Sequence, residues 1–159
     1  MNNITLINFT ELSLQEKEMI LLWRNDKAVK VWMYDELDIQ IEKHLSFIEK
    51  LKDSYEKLYF LVKKKDNYLG VIDFTDINNN TAKFGLYSNP KLKGIGKVLL
   101  KTICDYAFSE LNIKTLHAEV FSNNIKAIKL YKKFDFLEIK KKVINNKEVT
   151  CMELKNENR

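Results

Sequence analysis

Residues Tyr87–Leu100 read YSNPKLKGIGKVLL and decide the fold. An apolar, strand-like segment ends at Asn89-Pro90, a cationic loop with two glycines follows, and an amphipathic helix begins. Pro90 lacks the backbone N–H that a strand ladder needs, and Gly94 and Gly96 allow backbone N–H groups to face outward at a helix N-terminus. Such a turn binds anions, usually phosphate or pyrophosphate. The alternative interpretation is a plain glycine turn before a helix.

Two common phosphate-binding motifs do not fit this loop. A P-loop needs glycine where the chain has Lys91 and serine or threonine where it has Val98. A dinucleotide fingerprint needs a third glycine, and the chain has Leu99 there. The loop therefore predicts a different phosphate-bearing ligand.

Length and charge limit the possible functions. The chain of 159 residues fits a single domain, 1–159, with a sizeable core. It contains no apolar run of about 18 residues and no N-terminal leader pattern, so we expect a cytoplasmic protein without a membrane partner. The net charge is +5, but Arg24 and Arg159 are the only arginines. Proteins that read base edges favour clustered arginine, so we expect no nucleic-acid partner.

The cysteines and histidines predict no metal site. Cys104 lies on the apolar face of a predicted helix and Cys151 in a predicted terminal strand, which indicates reduced structural thiols. His44 and His117 do not complete a zinc-binding spacing with them.

Hydrophobic periodicity predicts an α/β (α+β) domain with a mixed sheet of about seven strands and about four helices. The order is strand, two helices, three strands, helix, strand, helix and two strands. The predicted strands are 4–9, 58–62, 68–74, 82–87, 116–121, 136–144 and 147–154. The predicted helices are 13–25, 36–52, 95–110 and 124–133.

The glycine loop and the segments after it resemble the GNAT superfamily of N-acetyltransferases over nearly the whole chain. The loop is Lys91-Leu92-Lys93-Gly94-Ile95-Gly96, and strand HAEVF, then SNN, then a helix ending KLYKKFDF follow it. The family loop begins with arginine or glutamine, so Lys91 departs from the pattern, as does Asp135 where glycine is usual. The resemblance implies a sheet with a splayed, V-shaped opening and acetyl-CoA as cosubstrate.

The resemblance also implies which residues hold the coenzyme. Loop N–H groups would bind the pyrophosphate, and backbone N–H groups near Leu86 and Tyr87 would polarise the acetyl carbonyl. The implied coenzyme-binding residues are Leu86, Tyr87, Lys91, Lys93, Gly94, Ile95, Gly96, Lys97, Asn124 and Tyr131.

A narrower similarity is to the N-acetyltransferases of pseudaminic acid biosynthesis. It rests on WRN (23–25), WMY (32–34), KHLSFIEKL (43–51), LGVIDF (69–74), FGLYSNPKLKG (84–94) and KAIKLY (126–131). That family acetylates the 4-amino group of UDP-4-amino-4,6-dideoxy-N-acetyl-β-L-altrosamine, on the route to a sugar that decorates flagellin. The similarity implies a small-molecule nucleotide-sugar substrate.

Three residues are candidates for the chemistry. Tyr131 is implied as the acid that protonates the departing thiolate; the alternative is core packing. Glu119 is a carboxylate in an otherwise apolar strand, and burial would raise its pKa toward neutrality, as a general base needs. The alternative is a solvent-facing side chain. Asp73, also on an apolar strand, is a candidate to orient the amine or share the base role.

Arg24 is the candidate for the anionic part of the acceptor. It is the single internal arginine in a lysine-rich chain, which indicates a need for a planar, bidentate donor. A structural salt bridge is the alternative. The resemblance implies contact with UDP, and the implied substrate-binding residues are Arg24, Trp32, Tyr34, His44, Asp73, Thr75 and Tyr87.

Other functions within the fold stay open at this stage. The acceptor could be a protein N-terminus, with ribosomal proteins as the obvious case, or a polyamine. A different class is a non-catalytic acetyl-CoA sensor or a basic binding module; the presence of both Glu119 and Tyr131 argues against it. The sequence fits a monomer or a homodimer.

Overall fold

The computed structural model describes residues 3–158 and forms one seven-stranded mixed sheet. The strands are β1 (Ile4–Asn8), β2 (Leu58–Lys64), β3 (Asn67–Thr75), β4 (Thr81–Ser88), β5 (Thr115–Phe121), β6 (Leu137–Ile144) and β7 (Lys147–Lys155). The helices are α1 (Leu14–Asn25), α2 (Lys27–Lys30), α3 (Ile41–Leu51), α4 (Gly96–Ser109) and α5 (Ile125–Lys133). The sheet order is β1-β2-β3-β4-β5-β7-β6. The predicted order of long elements is confirmed, and the short helix α2 is an addition.

The prediction for the second long helix was wrong at its start. The pattern predicted a helix from 36, whereas α3 begins at Ile41. The Asn25 side chain accepts from the Ile39 N–H at 2.8 Å and donates to the Ile39 carbonyl at 2.9 Å. Side-chain bonds of this kind satisfy backbone groups outside a helix, so 35–40 is held as an irregular strap.

The sheet opens between β4 and β5. These are parallel strands, and they pair only from Thr81–Thr115 to Phe84–Ala118. β4 continues to Ser88 and β5 to Phe121, so both strands extend beyond the last pair without bonding to each other. The predicted V-shaped opening is confirmed, and its vertex lies at Phe84 and Ala118.

The two largest clusters of buried side chains in residues 3–158 lie on opposite faces of the sheet. On one face, α4 and α5 pack on a cluster that includes Phe74, Phe84 and Leu99. On the other face, α1 and α3 pack on Leu61 and Val71. Because side chains alternate along a strand, neighbouring residues of β4 and β5 serve opposite faces of the opening.

Candidate active site

The glycine loop presents free helix N–H groups beside the opening. Gly94 has φ +72°, a conformation that favours glycine, and the space where its side chain would lie is open. A Cβ at Gly96 would lie 3.2 Å from a methyl carbon of Leu130, so Gly96 permits a close approach of α4 and α5. The α4 N-cap, Ile95, supplies no side-chain acceptor, and the first turn has no acidic residue. These N–H groups and the helix dipole favour an anion there.

The other candidate coenzyme residues surround this loop in different ways. Lys91, Lys93 and Lys97 are exposed on the loop and on the first turn of α4. The side-chain oxygen of Asn124 caps α5 by accepting from the Ala127 N–H at 3.3 Å. Asp135, which stands where glycine is usual in the family pattern, has φ +71°, a left-handed conformation that favours glycine.

Tyr131 lies on α5 directly beneath the vertex. Its ring packs on Phe84 at a centroid distance of 5.4 Å and on Phe136 at 5.9 Å, and the residue is 8% exposed. Within residues 3–158 its hydroxyl makes no hydrogen bond, so it is available to a ligand. Burial, together with the charge of Asp73, raises the pKa of Tyr131. A protonated phenol at the vertex can donate to a leaving thiolate.

Glu119 is held by cations and a hydroxyl. Tyr34 donates to Oε1 at 2.6 Å and Lys142 donates to Oε2 at 2.7 Å, while Lys83 Nζ lies 3.5 Å from Oε2. Burial acts to raise the pKa of Glu119, but the bonds from Lys142 and Tyr34 and the charge of Lys83 outweigh it, and the pKa is lowered. The expectation that burial raises this pKa toward neutrality was wrong, because the sequence did not show the three partners.

Asp73 lies at the same opening in a different environment. It is opposite Gly85 in the β3–β4 register, and a Cβ at Gly85 would lie 2.7 Å from its Oδ2. In the described part of the chain the carboxylate has no hydrogen bond or ion pair. Burial raises the pKa of Asp73 to about 7, although the charge of Lys83 acts to lower it.

Arg24 has a buried nitrogen without a hydrogen-bond partner in the described residues. Its Nη2 donates to the Asp35 carbonyl at 2.8 Å, whereas Nη1 is buried without a partner in the described residues. Arg24 makes no salt bridge there, so the structural alternative is not supported. An unsatisfied buried donor of a charged group is costly, and an anionic ligand would relieve that cost.

The remaining candidate substrate residues divide into cleft and core. Trp32 and Tyr34 are 43% and 41% exposed on the loop after α2. Thr75 is the last residue of β3. Tyr87 lies on β4, where burial and, to a smaller extent, the charge of Asp73 raise its pKa. His44 is 6% exposed, and its Nε2 lies 2.9 Å from the Lys17 carbonyl, which gives it a structural role between α3 and α1. The nucleotide contact predicted for His44 is not favoured.

Three residues that contact or neighbour the candidate carboxylates escaped the sequence analysis. Lys83 and Lys142 look like ordinary surface lysines in a chain with 27 basic residues. Gly85 gave a usable signal, because glycine inside a strand often marks a place where another group approaches closely. Lys83, Glu119 and Lys142 line a cleft of 280 Å³. A larger depression of 460 Å³ at Lys114 and Lys155 includes no candidate residue.

The described residues were expected to hold neither a metal cluster nor a membrane-spanning helix. Across residues 3–158, no group of three or more His, Cys, Asp or Glu side chains could hold a metal ion. In the same part of the chain, no helix has the length and apolarity needed to cross a membrane.

Comparisons with known proteins agree with this architecture. The family model described as acetyltransferase (GNAT) domain matches residues 12–150. Acetyltransferase PseH of Campylobacter jejuni is 45% identical over 133 residues, which are 84% of this chain and 84% of that protein. The crystal structure of Campylobacter jejuni N-acetyltransferase PseH in complex with acetyl coenzyme A has a TM-score of 0.81 and 39% identity, covering 96% of this chain and 99% of that chain.

A further comparison, at lower sequence identity, supports the fold alone. The structure of spermidine N-acetyltransferase from Vibrio cholerae with CoA and spermine has a TM-score of 0.87 at 22% identity. It covers 98% of this chain and 97% of that chain.

Proposed function

Because the chain belongs to the acetyltransferase (GNAT) family, we propose that it transfers an acetyl group from acetyl-CoA to the 4-amino group of a UDP-linked 4-amino-4,6-dideoxy sugar. The proposed acceptor is UDP-4-amino-4,6-dideoxy-N-acetyl-β-L-altrosamine, and the reaction is the acetylation step of pseudaminic acid biosynthesis for flagellin glycosylation. We include in this proposal a cytoplasmic location and a monomer or homodimer. The 45% identity to Campylobacter jejuni PseH supports the choice of acceptor.

The observation that carries the proposal is the convergence at one opening of an anion site, a phenol and two carboxylates. The N-terminus of α4 would hold the coenzyme pyrophosphate, with Lys91, Lys93 and Lys97 adding positive potential. Beyond the last β4–β5 pair, at Phe84 and Ala118, the edge of β4 that faces β5 has no partner strand. Backbone N–H groups near Leu86 and Tyr87 would then polarise the acetyl carbonyl.

The proposed reaction is direct attack within a ternary complex. The amine nitrogen attacks the thioester carbon, the carbon–sulfur bond breaks, and Tyr131 gives its phenolic proton to the thiolate. An acyl-enzyme route finds no support, since Cys104 and Cys151 are both buried. The unpartnered Nη1 of Arg24 supports an anionic acceptor over a polyamine.

The test is coenzyme A release by purified protein given acetyl-CoA and a panel of acceptors. The panel contains the UDP-4-amino sugar, spermidine and ribosomal N-terminal peptides. We expect rapid thiol release with the nucleotide sugar, a loss of about 100-fold or more in kcat for Tyr131→Phe, and a raised acceptor KM for Arg24→Ala. Release with spermidine or a peptide alone would refute the proposed acceptor and keep the fold.

A further inference from the structure

One carboxylate stands on each arm of the β4–β5 opening. The last β4–β5 pair is Phe84–Ala118, so Gly85 is the first residue of β4 that does not pair with β5, and Glu119 is the first residue of β5 that does not pair with β4. Asp73 lies over Gly85. Phe84 and Ala118 face the core under α4 and α5, so by alternation Gly85 and Glu119 face the other side of the sheet. The two carboxylates therefore flank the mouth of the opening on the face of α1 and α3, and Tyr131 lies on the opposite face.

These two carboxylates differ in what surrounds them. Glu119 accepts hydrogen bonds from Tyr34 and Lys142, with Lys83 3.5 Å away. Asp73 has no such bond within residues 3–158. The charged and titratable groups that act on Asp73 or respond to its charge are Tyr59 from β2, Lys83 and Tyr87 from β4, and Tyr131 from α5. Only Lys83 among them is a cation.

Gly85 makes room for this arrangement. A side chain there would bring Cβ to 2.7 Å and 3.1 Å from the two oxygens of Asp73. The carboxylate therefore lies flat against the β4 backbone at the first residue beyond the vertex. An amine directed at an acetyl group held along β4 would pass this carboxylate.

We propose that Asp73 binds the ammonium form of the acceptor and takes its proton, and that Glu119 stays an ionised positioning group. This inference rests on the proposed acetyl transfer. The Asp73 carboxylate takes one proton from R–NH₃⁺, which leaves R–NH₂ and a carboxylic acid. The nitrogen lone pair then forms the N–C bond as the C–S bond breaks.

The protons of the remaining steps balance through Tyr131. The phenol gives its proton to the sulfur and is restored by the second proton of the attacking nitrogen. The product amide keeps the third proton of the ammonium, and Asp73 releases the first to solvent. The acid–base properties agree with these roles, because burial raises the pKa of Asp73 to about 7, whereas its hydrogen bonds lower that of Glu119. A general base works best when its pKa is near the working pH.

The test is the pH profile of kcat/KM for whichever acceptor the wild-type protein acetylates, at saturating acetyl-CoA. We expect the wild-type rate to fall on acidification through about pH 7. Asp73→Asn should lower kcat/KM by about 100-fold or more, and its pH profile should lack this acidic limb. Glu119→Gln should keep the limb. Formate should partly restore the rate of Asp73→Ala, which a structural role would not allow.

Asp76→Asn is the matched control. Asp76 is a neighbouring carboxylate whose Oδ2 lies 3.5 Å from the same Lys83, and its side chain is 72% exposed. It should keep activity within about threefold of wild type, the scale of a surface substitution. Acetyl-CoA affinity measured on each variant separates folding from chemistry.

Two results would overturn the inference: a normal rate with the acidic limb intact in Asp73→Asn, or loss of the limb in Glu119→Gln. Failure of the proposed acceptor is a separate result, since wild-type activity on another amine would still allow the Asp73 test.

Discussion

Neutralising Asp73 should change how stability depends on pH. The pKa of Asp73 rises from the usual 3.8 to about 7 in the folded protein, because burial disfavours its charge. Between these values the folded state holds more protons than the unfolded state, so the free energy of unfolding falls as pH rises. The contribution is fully present below the unfolded pKa and is lost as pH rises through the folded one. Asp73→Asn removes this dependence.

The magnitude follows from the difference of about 3 between the two pKa values. At about 1.4 kcal/mol per pKa unit, the full effect is about 4 kcal/mol, and about 3 kcal/mol of it falls between about pH 4.5 and about pH 8. Because Asp73 is partly exposed, screening by water reduces this to about 1.5 to 3 kcal/mol. Asp73→Asn should therefore gain that much stability relative to wild type over this pH range.

The assay is urea unfolding of both proteins at several pH values. All other titrating groups are shared, so they cancel in the difference between the two curves. A difference that stays constant within about 0.5 kcal/mol, the limit of additivity for independent sites, would refute the raised pKa. Glu119→Gln should show the opposite pH dependence. The lowered pKa of Glu119 means that its charge stabilises the folded protein above the usual value of 4.5, and this stabilisation is lost as pH falls.

Three further predictions concern the glycine loop, Tyr34 and Arg24. Gly94→Ala should lower the free energy of unfolding by about 1 to 2 kcal/mol and weaken acetyl-CoA binding, because φ is +72° at this position. Chemical denaturation measures the first effect, with Lys93→Ala as the stability control, and calorimetric titration measures the second. Tyr34→Phe removes the 2.6 Å bond to Glu119 and should raise the pKa of that carboxyl, measured by ¹³C NMR; an unchanged pKa would contradict the assignment. Arg24→Lys keeps the charge but loses the planar donor, so the acceptor KM should rise about tenfold while the KM for acetyl-CoA stays unchanged; equal changes in both would contradict the pocket.

The fold was predictable from the sequence because its signals are local. Ser13 and Glu16 form a capping box that starts α1, and the structure shows both of its hydrogen bonds. The turn at Lys65-Asp66 and the alternation of the strands on either side likewise depend on neighbouring residues. The start of α3 was not predictable, because Asn25 holds Ile39 across 14 positions and converts a helix-like pattern into a strap.

In the candidate site, too, features that depend on local sequence were predictable and features that depend on distant contacts were not. The glycine loop carries its ligand preference in the chain itself, since backbone N–H groups at a helix start suit an anion whatever lies elsewhere. Arg24 was identified by contrast with the lysines, and its unpartnered Nη1 fits that interpretation. The nucleotide contact of His44 was implied only by the family resemblance, and the sequence does not reveal that its ring lies 2.9 Å from the Lys17 carbonyl.

The pKa values of the two carboxylates could not be predicted from the sequence. Each lies in an apolar strand, and burial alone would raise both pKa values. Tyr34 reaches Glu119 from 85 positions before it and Lys142 from 23 positions after it, so only the folded sheet brings them together. Within residues 3–158, no side chain donates a hydrogen bond to Asp73. Its carboxylate lies against the backbone of Gly85, which has no side chain to displace it. In the proposed mechanism the proton acceptor is the carboxylate that the fold leaves without hydrogen-bond donors, and its position opposite Gly85 is needed as well as its raised pKa. Lys142→Met with Tyr34→Phe, which strips Glu119 of its two shortest bonds, should raise the pKa of Glu119 without restoring activity to Asp73→Asn, since Glu119 stands on the opposite arm.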